Sequence, residues 1–107
     1  SRMDLNIAFN YSGRKEIIDA ARALVAAGVP PAELDEARFE EQLYTDGQPD
    51  PDLIVRTGGE QRTSNFLLWQ GAYAELVFCQ TLWPDFTVAE FDAALGEFAR
   101  RQRRYGA

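Results

Sequence analysis

Histidine is absent from this sequence, and cysteine occurs only once, at Cys79. A single cysteine cannot form an internal disulfide, and one cysteine without histidine cannot supply the ligands of a structural zinc site. The sequence therefore excludes a disulfide-stabilised scaffold and a zinc module, and it favours a reducing, cytoplasmic compartment.

Long apolar runs and an excess of positive charge are also missing. No segment approaches the ~20 apolar residues that a membrane-spanning helix needs, so we expect at most a peripheral membrane contact. Acidic residues number 17 against 11 basic ones, which gives a formal net charge of -6. This balance argues against a nucleic-acid partner, because a protein that neutralises phosphates needs an excess of lysine and arginine.

The length and composition are those of one ordinary globular unit. The chain has 107 residues, of which 46% are hydrophobic and 26% are charged. These proportions are close to the averages for folded domains. Strand and helix patterns alternate along the chain, which predicts an α/β fold with a parallel sheet and flanking helices.

The amino-terminal half of the sequence predicts one strand and two helices. Residues 5–9 alternate apolar with polar or small residues and favour a short strand. Ser12 is expected to cap a following helix that ends at Gly28. The apolar residues of this helix recur at one-face spacing, at Ile17, Ile18, Ala21, Leu24 and Val25. Asp35 is expected to cap a short helix within the acidic stretch 33–52, which favours a solvated surface.

The next part of the sequence predicts two further strands. Residues 53–55 form a continuous apolar run, which is typical of a strand covered on both faces. Residues 75–78 are expected to form the second strand, with an exit turn at residues 83–85. Between the two strands, we expect a helix to begin at Ser64.

The last predicted helix has signals at both ends. Thr87 and Glu90 form a capping box at its start. Its apolar side chains are expected to be a staple of Phe86 with Phe91 and a face formed by Phe91, Leu95 and Phe98. Four arginines crowd its final turns: Arg100, Arg101, Arg103 and Arg104. They are either a solvated helix end that the helix dipole favours, or a contact with a phosphate, an acidic partner or a membrane surface.

The residues with the clearest chemistry follow the first of the two buried strands. Arg56 ends that strand, at the carboxyl edge where parallel α/β sheets bind ligands. Gly58 and Gly59 then let the backbone approach a ligand closely, and Arg62 adds a second guanidinium group. Ser64 adds a hydroxyl, and the free amides of a helix beginning there would favour an anion. The pattern predicts a site for a small diphosphate.

These residues also have a structural interpretation. Arg56 can pair with Glu60 or with an acid of the stretch 33–52, in which case the glycines only form a turn. Glu75 lies in an otherwise apolar stretch, where a carboxylate needs either an arginine partner or a metal ion such as Mg²⁺. The glycines are not followed by the lysine of a Walker A loop, so nucleotide binding is unsupported.

Several blocks of this sequence resemble the cis-prenyltransferase family, which includes undecaprenyl diphosphate synthase. Residues 50–70, continuing through 72–76 to 82–86, resemble a long and specific signature of the family. Residues 5–14 resemble a further block, so the resemblance covers nearly the whole chain.

The resemblance implies roles for the residues already singled out. In this family, the residues matching Arg56, Arg62 and Ser64 hold the diphosphate of isopentenyl diphosphate, and the residue matching Glu75 helps to place Mg²⁺. The implied reaction condenses isopentenyl diphosphate with an allylic prenyl diphosphate to give a cis-polyprenyl diphosphate. Undecaprenyl diphosphate, a lipid carrier for cell-wall synthesis, is the expected product. The resemblance also implies a homodimer, cytoplasmic or peripherally attached to a membrane.

One departure from the family is large. The Asp-Gly-Asn-Gly-Arg motif that holds the allylic diphosphate and supplies the essential aspartate does not occur here. Family members are also more than twice this long. Residues 1–107 therefore look like the carboxyl-terminal part of one cis-prenyltransferase domain, and we expect the chain to be inactive alone. The alternatives are a non-catalytic partner subunit and an anion-binding module of the same fold.

Overall fold

The computed structural model describes residues 3–102. The helices are α1 (Gly13–Ala26), α2 (Glu36–Glu40) and α3 (Val88–Gln102), and the strands are β1 (Leu53–Arg56) and β2 (Glu75–Phe78). Short 3₁₀ turns cover Pro31–Glu33 and Trp83–Asp85. The described chain divides into two compact units, residues 3–48 with 65–67 and residues 49–64 with 68–102. No helix in residues 3–102 is long and apolar enough to cross a membrane.

Helix α1 of the first unit begins and ends where its sequence signals predicted. Ser12 is the N-cap, and its Oγ accepts a hydrogen bond from the Lys15 amide at 3.2 Å. Gly28 follows the last turn with φ +70, a left-handed conformation that glycine adopts without a steric penalty. The predicted start and end of this helix are therefore confirmed.

The buried face of α1 differs from the predicted one. Glu16, Ala20 and Leu24 are buried, whereas Ile18 and Val25 are exposed. The face is turned because Glu16, only 1% exposed, is held by hydrogen bonds that periodicity cannot reveal. Of the predicted apolar face, Leu24 alone is fully buried.

The strand predicted for residues 5–9 is wrong. This segment has no regular secondary structure, and its apolar side chains Leu5, Ile7 and Phe9 are exposed. A strand needs a neighbour to accept and donate its backbone hydrogen bonds. In the part of the chain that the structure describes, the only strands, β1 and β2, pair with each other. An alternating pattern alone is therefore not sufficient here.

The acidic stretch of the first unit forms the short helix that was predicted. The Oδ1 of Asp35 accepts from the Arg38 amide at 2.8 Å and caps α2. The surrounding residues are mostly exposed, although Leu43 is buried. A solvated acidic surface is confirmed for this part of the chain.

The second unit is organised around a parallel pair of strands. Leu53 lies opposite Glu75, and Arg56 lies opposite Phe78. The predicted α/β fold with a parallel sheet is confirmed. The expectation that β1 is covered on both faces is wrong, because all four of its residues are only half-buried. Val77 of β2 is the buried residue of this pair of strands.

Helix α3 begins with the predicted capping box. The Glu90 amide donates to Thr87 Oγ1 at 3.1 Å, and the Thr87 amide donates to Glu90 Oε1 at 3.2 Å. Ala94 is buried, whereas Phe91 and Leu95 are exposed, so the prediction that these two side chains form a buried apolar face is wrong. Phe86 stacks on Trp83 with ring centroids 5.8 Å apart, and its staple with Phe91 stays a prediction.

Two of the four terminal arginines can be described. Arg100 and Arg101 both form ion pairs with Glu97, one helical turn earlier. Arg100 is exposed, as a solvated helix end requires, whereas Arg101 is half-buried and also donates to the Leu76 carbonyl of β2, so a solvated end describes Arg100 alone. Arg103 and Arg104 lie outside the described residues.

Candidate functional site

The candidate site begins where β1 ends. Arg56 is the last residue of β1, and its carbonyl accepts from the Cys79 amide at 2.8 Å. The amides of Gly58 and Gly59 donate to the carbonyls of Thr81 and Cys79, both at 2.9 Å. These bonds continue the pairing of the strands beyond the sheet. They fix the path of the backbone after Arg56.

Both glycines of this loop meet a geometric requirement. Gly58 has φ +91 and Gly59 has φ +84, backbone values that residues with a Cβ rarely adopt. A Cβ on Gly59 would also lie 2.9 Å from Gln80 Oε1, but this atom ends a flexible side chain that can move, so the positive φ is the stronger constraint. The glycine pair is therefore a requirement of the loop geometry.

The two arginines of the site meet at one carboxylate. Glu60 Oε1 lies 3.7 Å from Arg56 Nη2 and 3.3 Å from Arg62 Nε. Arg56 Nη1 also donates to the Arg62 carbonyl at 2.8 Å. The Arg56 side chain is 29% exposed, whereas that of Arg62 is 73% exposed. The pairing of Arg56 with Glu60, predicted by the structural interpretation, is therefore present, and it draws both guanidinium groups to one point.

Ser64 lies two residues after Arg62 but does not begin a helix. Residues 64–73 consist of turns and bends, and Ser64, Asn65 and Leu67 all have positive φ. The helix predicted to begin at Ser64 is therefore wrong, because a right-handed helix cannot contain left-handed residues. Ser64 is exposed and offers its hydroxyl. The free helix amides that were expected to favour an anion at Ser64 are therefore not formed by this segment.

Glu75 lies at the other end of the sheet. It is the first residue of β2 and faces Leu53, three residues before Arg56. At ~3.3 Å per residue, the backbones of Glu75 and Arg56 are therefore offset by ~10 Å along the strands. Glu75 Oε1 lies 4.0 Å from Arg101 Nη1, so the arginine partner considered for it is present.

The surroundings of Glu75 allow a limited role in metal binding. A groove of about 460 Å³ is lined by Glu75 together with Asp50 and Asp52. Among residues 3–102, no group of three or more potential ligands could hold a metal ion. A single carboxylate still fits Mg²⁺, which commonly takes one or two protein carboxylates and fills its shell with phosphate oxygens and water.

A polar cluster around the buried Glu16 in the first unit was not predicted. Glu16 accepts hydrogen bonds from the Tyr11 hydroxyl and from the Tyr44 amide, the latter at 2.7 Å. The Tyr44 hydroxyl donates to Asp19 Oδ2 at 2.6 Å, and Lys15 Nζ lies 2.8 Å from the same oxygen. A glutamate one position before the apolar pair Ile17 and Ile18 was the available signal.

The cluster changes the titration of its members. Burial, followed by the hydrogen bond to Glu16, raises the pKa of Tyr11 well above its usual value. The hydrogen bond to Asp19 raises the pKa of Tyr44. The hydrogen bond from Lys15, with a smaller one from Tyr44, lowers the pKa of Asp19. Each shift favours the protonation state that the hydrogen bonds require.

The sequence profile of a family described as putative undecaprenyl diphosphate synthase matches residues 1–106. This match covers nearly the entire chain. The chain belongs to this family. The resemblance noted from the residue blocks is therefore confirmed.

Individual relatives in the undecaprenyl diphosphate synthase family agree with this assignment. An isoprenyl transferase from Thermotoga maritima is 51% identical over 107 residues, which is 98% of this chain and 46% of the relative. The chain thus spans less than half the length of this relative. That it is the carboxyl-terminal part of a single domain stays a prediction.

Solved structures of the family have the same fold. Lavandulyl diphosphate synthase from Lavandula x intermedia, in complex with dimethylallyl diphosphate, matches with a TM-score of 0.75 and 44% identity. The match covers 82% of this chain and 40% of that one. A probable undecaprenyl diphosphate synthase from Campylobacter jejuni matches with a TM-score of 0.73 and 40% identity, over 91% of this chain and 44% of the other.

Proposed function

We propose that this chain is part of a cis-prenyltransferase and carries its binding site for isopentenyl diphosphate. Membership of the undecaprenyl diphosphate synthase family supports the reaction class. The observation that carries the assignment of the site is the convergence of Arg56 and Arg62 on Glu60 Oε1. Two guanidinium groups that reach one carboxylate oxygen can reach one diphosphate, which offers more oxygens and more negative charge.

Each residue of the proposed site has a distinct role. Arg56 and Arg62 each donate hydrogen bonds to the diphosphate, and Ser64 contributes its hydroxyl. Glu60, which is 56% exposed, moves aside because its ion pairs are solvated and weak. A charge-assisted hydrogen bond contributes ~1.5–3 kcal/mol, so three such contacts supply roughly 4.5–9 kcal/mol, from which the entropic cost of association is subtracted.

We propose that Glu75 helps to place Mg²⁺ and that the metal completes its shell with diphosphate oxygens and water. When bound, Mg²⁺ neutralises charge that develops on a departing diphosphate. Arg101 Nη1 lies 4.0 Å from Glu75 Oε1 and is the arginine partner of this carboxylate. Glu75 and Arg56 lie at opposite ends of the two-stranded sheet, so in this proposal the metal and the isopentenyl diphosphate group bind apart.

The proposed reaction is a condensation with balanced bonds. The carbon–oxygen bond of an allylic prenyl diphosphate breaks and releases diphosphate. The double bond of isopentenyl diphosphate supplies the electron pair of the new carbon–carbon bond, and loss of a proton leaves a new cis double bond. Arginine side chains stabilise negative charge on the diphosphate groups throughout. Undecaprenyl diphosphate, a lipid carrier for cell-wall synthesis, is the product we propose.

The proposal extends to the assembly and its surroundings. We propose a homodimer in the cytoplasm with at most peripheral membrane contact, and no nucleic-acid partner because the net charge is -6. The Asp-Gly-Asn-Gly-Arg motif expected for the allylic substrate is absent from this chain. The 107-residue chain should therefore bind isopentenyl diphosphate without turning it over.

Calorimetric titration with isopentenyl diphosphate, with and without Mg²⁺, tests the site. We expect Arg56→Ala and Arg62→Ala each to weaken binding by at least about tenfold, because each loses charge-assisted hydrogen bonds. Arg38→Ala is the matched control: this arginine likewise pairs with exposed acids, Glu33 and Glu41, but lies on the acidic surface. Unchanged affinity in both site variants would contradict the assignment.

A purely structural loop is the second candidate, favoured by the ion pairs of Glu60 with both arginines. It predicts that Arg56→Ala lowers the unfolding temperature while no diphosphate binds to the unaltered chain. A turnover assay with both diphosphates and Mg²⁺ separates the remaining alternatives. Product formation by the isolated chain would contradict the proposed need for the missing motif.

A further inference from the structure

The arginine loop, residues 56–64, is bonded to the chain that leaves β2. The Gly58 amide donates to the Thr81 carbonyl at 2.9 Å. The Thr81 hydroxyl in turn donates to Glu90 Oε2 on helix α3. Thr81 thus contacts the loop through its backbone and the helix through its side chain. All three residues belong to the second unit, which also contains the entire arginine loop.

Glu90 forms more hydrogen bonds than a capping box requires. In an ordinary capping box, the glutamate reaches back only to the amide of the N-cap residue. Here Glu90 Oε1 accepts from the Thr87 amide at 3.2 Å and from the Thr87 hydroxyl at 3.3 Å. The other oxygen, Oε2, accepts from Thr81. This bond is additional to the cap, and it connects the start of α3 to the residue that holds Gly58.

The arginine loop has few other constraints on its backbone. Glycine has more backbone conformations available than any other residue, and Gly58 and Gly59 lie between the two arginines. Residues 60–64 are all exposed. The amides of both glycines are held by carbonyls of the chain after β2, those of Thr81 and Cys79. The backbone of the loop therefore depends on where these two carbonyls lie.

The two carbonyls are held in different ways. Cys79 directly follows β2, and its amide donates to the Arg56 carbonyl at 2.8 Å, which continues the sheet. Thr81 lies in a bend beyond this bond, and the residues after it, Leu82 and Trp83, are exposed. The side-chain bond to Glu90 is therefore the contact that ties Thr81 to a regular element.

We propose that Thr81 is a positioning residue for the diphosphate site and that it acts through Glu90. Their bond fixes the carbonyl that holds Gly58, which limits the paths that the backbone can take between Arg56 and Arg62. This inference rests on the proposed function, in which both arginines contact the diphosphate. A binding site needs its ligands held within about 0.5 Å of the productive geometry, and a glycine-containing loop needs support to achieve this.

Two substitutions at Thr81 isolate the hydroxyl group. Thr81→Val keeps the branched shape and the carbonyl that holds Gly58, but it removes the donor to Glu90. Thr81→Ser keeps the donor. We expect Thr81→Val in the 107-residue chain to bind isopentenyl diphosphate at least about fivefold more weakly, because a bond to a charged acceptor is lost. Thr81→Ser should stay within about twofold of the unaltered chain. Titration calorimetry measures both affinities.

A double-mutant cycle tests whether Thr81 acts through Glu90. In a chain that carries Glu90→Ala, the Thr81 hydroxyl has lost its acceptor. Adding Thr81→Val to this chain should therefore change the affinity by less than about twofold, because the effects of residues in contact are not additive. A further fivefold loss in the double variant would contradict the proposed route through Glu90.

Thr87→Ala is the matched control for the stability of helix α3. It removes the Thr87 side chain from the capping box, but it leaves the Thr87 amide bonded to Glu90 Oε1 and Thr81 bonded to Oε2. We expect its affinity to stay within about twofold of the unaltered chain. Circular dichroism establishes that each variant is folded at the titration temperature. If Thr81→Val acted only by weakening α3, Thr87→Ala would weaken binding to the same extent.

Amide hydrogen exchange of the unliganded chain gives a readout that a general loss of stability would not produce. Thr81→Val should speed exchange of the Gly58 amide by at least about fivefold, since local opening exposes amides individually. The Cys79 amide, bonded to the Arg56 carbonyl, should change by less than about twofold. Equal acceleration at Gly58 and Cys79 would contradict a local effect on the arginine loop.

The outcomes distinguish this inference from the proposed function. If Arg56→Ala weakens binding but Thr81→Val binds like the unaltered chain, the positioning role is overturned and the proposed site stands. If the unaltered chain does not bind isopentenyl diphosphate, both are overturned. Weakened binding in Thr81→Val, normal binding in Thr81→Ser and faster exchange at Gly58 than at Cys79 support the positioning role.

Discussion

Glu60 lies between the two arginines at the carboxyl edge of β1 and occupies the position of an anion. It contacts Arg56 and Arg62 through the same oxygen, at 3.7 and 3.3 Å. The Glu60 side chain is largely exposed, so each pair contributes little to stability, typically ~0.2–1 kcal/mol. If the proposed site binds a diphosphate, the main effect of Glu60 is on that binding, because the ligand has to displace this carboxylate.

We predict that Glu60→Gln strengthens binding of isopentenyl diphosphate. Removing the carboxylate removes a competitor for both guanidinium groups, and pairs of this kind correspond to about a two- to fivefold change in affinity. Titration calorimetry of the variant beside the unaltered chain measures it. Glu41→Gln is the control, because Glu41 pairs with Arg38 on the acidic surface. Weaker binding in Glu60→Gln would mean that this carboxylate orients the arginines instead.

Residue chemistry explains which members of the candidate site could be proposed from the sequence. Arg56, Arg62 and the glycine pair were proposed because residue type and the end of an apolar run together indicate an anion site. Glu16 and Asn65 were missed because their contacts come from distant positions, Tyr44 and Ser12–Arg14. Local patterns do not contain information about such partners.

Predictions of helix caps depend on local contacts, whereas the prediction of a strand depends on a distant neighbour. The caps of Ser12, Asp35 and Thr87 were predicted correctly, because a cap needs only a side-chain oxygen and an amide three residues later. The strand at residues 5–9 was not, because strand formation depends on a neighbouring strand. The helix predicted to begin at Ser64 failed because the segment adopts left-handed turns instead.

The capping box of α3 leads to a prediction for this element. Thr87→Ala removes the acceptor for the Glu90 amide, a loss of ~1 kcal/mol for a typical cap. For a domain of this size, we expect the unfolding temperature to fall by roughly 4–8 °C. Thr87→Ser keeps the hydroxyl and should retain most of the stability. Thermal unfolding followed by circular dichroism measures both, and equal unfolding temperatures for the alanine variant and the unaltered chain would contradict the role of the box.

Across the whole molecule, ionised carboxylates carry specific hydrogen bonds. The hydroxyl of Thr81 is the main cause of a lowered pKa at Glu90. The side chain of Arg101 is the main cause of a lowered pKa at Glu97. The hydrogen bond from Lys15 lowers the pKa of Asp19, and the hydrogen bond to this carboxylate raises the pKa of Tyr44. The folded state therefore prefers these carboxyls ionised in both units and Tyr11 and Tyr44 of the first unit neutral.

These shifts predict how the stability of the molecule depends on pH. A carboxyl whose pKa is lower in the folded state than in the unfolded state stabilises the protein at pH values above its unfolded pKa, which is 4.5 for Glu90 and Glu97. This stabilisation is lost as the pH falls through the folded pKa. Tyr44, whose pKa is raised from 10.0, gives the opposite dependence, and its contribution is lost as the pH rises above that value. We therefore expect a plateau in the unfolding temperature at intermediate pH.

The acid side of this plateau can be tested with one substitution. Glu97→Gln removes a carboxylate that Arg100 and Arg101 hold ionised. The variant should unfold at a lower temperature near pH 7, and its unfolding temperature should fall less steeply between about pH 5 and pH 3. Asp92→Asn, also on α3, is the control, because it changes the charge by the same amount. A parallel acid limb in Glu97→Gln and the unaltered chain would show that Glu97 does not contribute to the loss of stability in acid.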